Sequence, residues 1–229
     1  MASTYTDLGI ELMVTGENAG TWGDKTNTNL SLIEQLTGGV LSISIAGGAG
    51  NQDLTIADGA LTGTAQQRIL EFTGTISGAR VIRFPLLTEN FYIIKNGTSG
   101  AHTVQLKAVS GSGATVTFAA GDKGYKIVYL DGVATNTGVF DVFSNTNFGA
   151  ITATGNILPG ANDTYDLGAT GSVWRNIYTG DLHLNNEHKK EGNIVDGSKG
   201  SWTLQEGAED IYLINNKSNE KFRLKLEKI

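Results

Sequence analysis

A few groups of residues are of types that do chemistry, and their spacing decides what is open to them. Ala46-Gly47-Gly48-Ala49-Gly50 is glycine-rich, as phosphate-cradling loops are. It lacks a following Gly-Lys-Ser/Thr, so it supplies neither the lysine nor the hydroxyl that holds phosphate and magnesium, and reads as a strand connection. His183 and His188, with Glu187 beside the second, are of metal-ligating type. Their spacing fits neither a helical i, i+4 pair nor a close strand pair, and no cysteine assists, so a solvated loop is expected and no metal. Glu206, Glu209 and Asp210 supply the carboxylates of a glycosidase pair. Such a pair must be held about 5–10 Å apart across a rigid cleft, which a turn-rich acidic loop does not promise. With three histidines and none in a nucleophile-elbow context, no Ser/His/Asp order stands out either. The chain is therefore expected to be no enzyme and to carry no cofactor. Trp174 and Tyr178 are of a type for different work: stacking between chains, each ring burying large apolar area, is expected of them, with an intramolecular core or an exposed carbohydrate platform as the alternatives.

The elements that must position these residues are mostly strands. Leu30, Ile33 and Leu36 recur at helical spacing, with Leu32 beside Leu36, and predict a helix over about 24–37. Gly38-Gly39 supplies its stop. From Val40 to about Phe143 the period becomes two. Leu41, Ile43 and Ile45 alternate with serines, then come Leu54 and Ile56, Ile69–Phe72, Val81–Phe84, Phe91–Ile94, Val104–Leu106, Val116–Phe118, Ile127–Leu130 and Val139–Phe143. Asp58-Gly59, Ser77-Gly78, Asn96-Gly97, Ser110-Gly111 and Asp131-Gly132 punctuate the series. Short strands with such turns predict a mainly β fold, here an antiparallel β sandwich of about nine strands behind one short helix. No repeat of 20–50 residues shows in the sequence. The final stretch is strand-like again: Trp202-Thr203-Leu204, Ile211–Ile214, a turn at Asn215–Asn219, and Phe222-Arg223-Leu224-Lys225-Leu226. A small hairpin-based β module with one apolar and one polar face fits it.

Composition narrows the partners. The chain has a net charge of −6 and no basic cluster, which disfavours a phosphate backbone, so no nucleic acid is expected. No apolar run approaches the roughly 18 residues that span a bilayer, and the start lacks a secretory pattern. A protein made in the cytoplasm, not inserted in a membrane, is expected. Cysteine is absent, so thin regions must gain stability from burial between chains. Residues 1–182 hold 24 charged side chains and residues 183–229 hold 16, a density break that suggests a boundary near His183. Three parts are expected: 1–147, 148–182 and 183–229.

The middle part decides the assembly state. Residues 144–182 offer Leu167, Trp174, Ile177 and Tyr178 but too little apolar mass for a core of their own. If ordered, these side chains are buried against other copies. They are the expected oligomer interface, while Trp22, Leu30 and Ile33 near the N-terminal helix are candidates for docking to a larger particle.

Three stretches also resemble a known class. Tyr5–Gly23 with Lys25–Leu30 resembles the N-terminal domains of fibre-like structural proteins from tailed phages of marine bacteria and cyanobacteria, and the similarity runs to about residue 143. Tyr165-Asp166-Leu167-Gly168, with Trp174-Arg175-Asn176-Ile177-Tyr178-Thr179-Gly180-Asp181-Leu182, is similar to a tail-fibre element that forms an intertwined threefold shaft. Gly200–Gly207 to Leu226 is similar to C-termini of the same class. The resemblance implies a virion protein: a homotrimer with an intertwined β shaft, attached to other phage tail or capsid proteins and displaying a distal surface towards a host glycan or protein. Typical receptor-binding fibres carry a larger tip domain, so a structural role is better supported than a cell-binding one. A capsid decoration or head-fibre protein is the alternative of the same build. A polysaccharide-degrading tailspike and a free carbohydrate-binding module are the alternatives of other classes.

Overall fold

The computed structural model describes residues 2–144, 146–147 and 149–225. It is mainly β and forms two compact units, Met1–Gly149 and Ala150–Ile229. The first unit begins with a two-stranded hairpin, β1 (Thr4–Tyr5) and β2 (Glu11–Leu12), followed by helix α1 (Trp22–Gly38). Nine strands follow: β3 (Val40–Ser44), β4 (Gly50–Asp53), β5 (Ile69–Thr73), β6 (Arg80–Phe84), β7 (Glu89–Asn96), β8 (Val104–Ala108), β9 (Val116–Phe118), β10 (Tyr125–Asp131) and β11 (Val139–Asp141).

Two sheets share these strands, in the orders β11-β10-β7-β5-β3 and β4-β6-β8-β9. They pack over one core, but the expected antiparallel arrangement does not hold. β3, β5 and β7 pair in parallel, as do β4, β6 and β8. From β3 to β8 the chain alternates between the sheets, so each pair of strands makes one coil stacked on the last. Val40 lies opposite Ile69, and Ile69 opposite Ile93, giving offsets of 29 and 24 residues. A coil of that length is thus present although no repeat was legible. Only the last strands, β9, β10 and β11, turn back antiparallel and end the stack.

Alternation explains the core. Leu41, Leu70 and Ile94 stand in one inward row, and Ile43, Phe72 and Asn96 in the next. From the facing sheet come Ile82 and Leu106, and the Phe84 and Tyr92 rings meet at 5.0 Å. The fully buried apolar side chains among them, Leu70, Ile94, Phe72, Ile82, Leu106 and Phe84, each stabilise by about 1.5–3 kcal/mol. The buried Tyr92 hydroxyl donates to the Ala65 carbonyl at 2.9 Å, and burial pushes its pKa up to about 12. Leu54, expected in a strand, lies just past the end of β4; its N–H donates to the Arg83 carbonyl and its side chain is in the core.

The corners stack too. The Gly47 N–H donates to the Thr75 carbonyl, and the Ile76 N–H to that of Ser99, so Ala46–Gly50 is a hydrogen-bonded corner of the coil. Gly100 is required there: its φ is +96°, and a Cβ would lie 2.1 Å from the Ile76 carbonyl oxygen. Helix α1 starts two residues before the expected position, and Gly39 beyond its end has an ordinary φ of −67°. Glycine is needed at that site because a Cβ would lie 2.8 Å from the Gln35 carbonyl oxygen and 2.9 Å from its Cα. Asn29 ties the helix to β2, accepting from the Glu11 N–H and donating to its carbonyl, both at 2.9 Å.

The second unit is a single antiparallel sheet, β12 (Asp181–Asn185), β13 (Ser201–Glu206), β14 (Ile211–Asn215) and β15 (Lys221–Arg223), in sequence order. β12 runs across the composition break near His183. Residues 150–180 contain no strand or helix; Leu226 lies outside the described residues.

Candidate assembly surface

In an antiparallel sheet directly paired residues share a face. Leu182 pairs with Leu204 and Leu184 with Trp202. Leu204 pairs with Leu213, Leu213 with Phe222, and Glu206 with Ile211. The Leu224 N–H donates to the Ile211 carbonyl and continues the register. One face therefore gathers Leu182, Leu184, Trp202, Leu204, Ile211, Leu213, Phe222 and Leu224. The Trp202 and Phe222 rings meet at 5.7 Å. Among the described residues of this unit no second layer covers that face: Leu182 is 44% exposed, Leu184 51% and Phe222 47%. A sheet with an apolar face needs such a layer, because a single sheet has no inside.

The opposite face is largely polar. The buried Thr203 hydroxyl bridges the His183 Nδ1 at 3.0 Å and the Asn216 Oδ1 at 3.1 Å. Around it stand Asp181, Asn185, Ser201, Gln205, Lys221 and Arg223. His183 thus has a hydrogen-bonding place in the sheet, while His188 is exposed in the following turn. Among the described residues no group of three His, Cys, Asp or Glu side chains is placed to hold a metal ion. Of the acidic trio, Asp210 pairs with Arg223 at 3.3 Å and its carbonyl accepts from the Gly207 N–H at 2.7 Å, which makes it part of a turn.

The stretch before the sheet is bare. Every residue from 150 to 180 is exposed, including Trp174 at 61% and Tyr178 at 93%. Leu167, Trp174 and Ile177 line one shallow open groove with Val173; Tyr178 stands outside it. Ile177 also lines a second groove with Leu182, Leu204 and Ile211, which connects the stretch to the apolar sheet face. The eight residues of that face were missed as a set. Their signal was the apolar pairs two apart, such as Leu182/Leu184 and Phe222/Leu224, whose coalescence depends on register.

In the first unit, Trp22, Leu30 and Ile33 are all exposed and share one stripe of α1, since eleven residues are close to three helical turns. Near the start of that helix, Lys25 lies 3.0 Å from the buried Glu11 carboxylate. Its ammonium holds the Glu11 carboxyl below the usual carboxylate range, against the opposing pull of burial. No helix among the described residues is long and apolar enough to cross a membrane.

Comparison with protein-family models, with curated proteins and with solved structures finds no match.

Proposed function

We propose that this chain is a non-enzymatic structural subunit of a tailed-phage particle, a homotrimeric fibre or appendage protein. The observation that carries the reading is the uncovered apolar face of the β12–β15 sheet, preceded by some thirty exposed residues bearing Leu167, Trp174, Ile177 and Tyr178. Three copies of the sheet packed face inward would supply the missing layer, and the 150–180 stretches would wrap into an intertwined shaft. A repeated subunit is the simplest partner, because an identical apolar face is self-complementary around a closed axis. The number three rests on the resemblance of residues 165–182 to a threefold fibre element. With no cysteine for cross-linking, this burial between chains is what makes the region rigid.

In this reading the first unit is the body, attached to tail or capsid proteins, with the Trp22–Leu30–Ile33 stripe as a candidate contact. The second unit is the distal shaft and tip, exposed to a host glycan or protein. A capsid decoration or head fibre would use the same build. A polysaccharide-degrading tailspike is less well supported, because Asp210 of the Glu206, Glu209 and Asp210 group is engaged by Arg223. The test is antibody labelling of washed phage particles with serum raised against the purified chain. Discrete label on tails or heads is expected; serum that reacts with lysate but not with intact or disrupted particles would refute a virion role.

A further inference from the structure

The outward face of the five-stranded sheet in the first unit carries a second apolar surface. Val40, Ile69, Ile93 and Ile127 stand opposite one another across β3, β5, β7 and β10. The Val142 N–H donates to the Ile127 carbonyl at 2.9 Å and adds a fifth aliphatic residue at the end of the row. Beside it runs an aromatic row, in which Phe91 pairs with Tyr129 and Tyr129 with Phe140. Val40, Phe91, Tyr129, Phe140 and Val142 are exposed, and the isoleucines between them are half-buried. The solvent side of a sheet ordinarily alternates to polar residues, and contiguous apolar surface of this kind marks an interaction site.

The chemistry of the face selects its occupant. The cations beside it are engaged: Lys95 lies 2.6 Å from Glu71, and the Arg68 guanidinium sits 3.9 Å above the Phe91 ring, while at the far edge Glu89 and Asp131 stand opposite each other beyond the Phe91–Tyr129 pair. With these cations engaged and two carboxylates at the edge, nothing on the face draws the phosphates of a nucleic acid. A sugar stacks on ring faces between hydrogen-bonding groups; the aromatic row supplies rings, but the five-residue aliphatic row beside it supplies neither. What fits is another flat apolar sheet. The chain passes from Val142 at the end of this row directly into the stretch whose exposure requires sister copies. Once copies are joined there, their first units are held at an effective concentration of about millimolar, enough for a face too weak to associate alone.

We infer that this face, centred on Ile93, Ile127 and Tyr129, is a second interface between copies of this chain. The inference rests on the assembly reading of the second unit. The absence of cysteine allows a clean test. Tyr129→Cys and Val142→Cys report on the face, and Ser110→Cys, in an exposed turn, is the control. Each full-length variant is labelled with a maleimide while its mass is followed by light scattering. The expected result is a trimer in which both face thiols react at least about tenfold more slowly than the control, the protection lost when Leu213→Asp dissociates the assembly. A trimer whose face thiols react as fast as Ser110→Cys overturns the inference alone and assigns the face to a partner other than this chain. A monomer with all thiols fast overturns the assembly reading, and the inference with it.

Discussion

Leu213 lies at the centre of the uncovered apolar face, paired with Leu204 on one side and Phe222 on the other. Replacing it with aspartate puts a carboxylate where the proposed trimer is driest. A fully buried leucine contributes about 1.5–3 kcal/mol, and because Leu213 is already half-buried in the single chain, about 1 kcal/mol of that is gained on assembly. Desolvating the new carboxyl costs about 2 kcal/mol more, the low end for an unpartnered polar group. About 3 kcal/mol per chain is about 9 kcal/mol per trimer, a fall of between six and seven powers of ten in the association constant at 1.4 kcal/mol per tenfold. The concentration of half-assembly varies as the inverse square root of that constant, so it rises on the order of a thousandfold. Sedimentation of fluorescently labelled protein from nanomolar to micromolar concentration reads the shift. Lys221→Gln, on the opposite face beside Ile214, is the control and leaves the midpoint in place. A Leu213→Asp protein that assembles at the wild-type concentration would remove this face from the interface.

Other consequences follow from the first unit. Gly100→Ala forces a Cβ against the Ile76 carbonyl at a positive φ, costs at least about 2 kcal/mol, and lowers the thermal midpoint by about 4–8 °C in calorimetry. Asn96→Ala leaves the Asp122 carbonyl without its side-chain donor and the buried Thr98 hydroxyl, which still accepts from Lys123, without its acceptor; it costs about 1–3 kcal/mol, read by chemical denaturation. The Glu11–Lys25 contact has a pH signature. A carboxyl whose folded pKa is depressed contributes stability that is present above its unfolded value, here 4.5, and lost as pH falls through the folded pKa. Amide exchange in β2 and the first turns of α1 is therefore expected to speed up as pH falls below 4.5, after correction for intrinsic rates. Glu11→Gln is expected to abolish that dependence; an unchanged profile would locate the acid sensitivity elsewhere.

Much of the fold was legible in period-two alternation, and its limits were physical. Alternation places Leu70, Phe72, Ile82 and Phe84 inward whether their neighbours run parallel or antiparallel, so it identifies strands but not their direction. The coil was hidden because the connection 54–68 in the first turn is longer than its counterpart in the next, so the offset is 29 in one and 24 in the other. Stacked corners are built by different residues, Gly47 against Thr75 and Ile76 against Ser99, so no motif recurs. The outward apolar face did leave a trace. Phe91–Ile94 and Ile127–Leu130 are apolar at both parities, which means both faces of those strands meet something apolar. The exposure of Trp174, Ile177 and Tyr178 followed from sparse local partners, a statement about composition that needs no register. That the second unit has one apolar face was legible in its alternation; that Leu182 and Leu184 join Trp202, Leu204, Leu213 and Phe222 on it needed the pairing of four strands, and pairing is not written in any one of them.

The central claim is that the residues after 149 are completed by sister copies. Multi-angle light scattering on the purified full-length chain at micromolar concentration tests it directly. A mass three times 24.2 kDa is predicted. A species of 24.2 kDa, with Trp174 and Trp202 fluorescence showing a folded second unit, would contradict it.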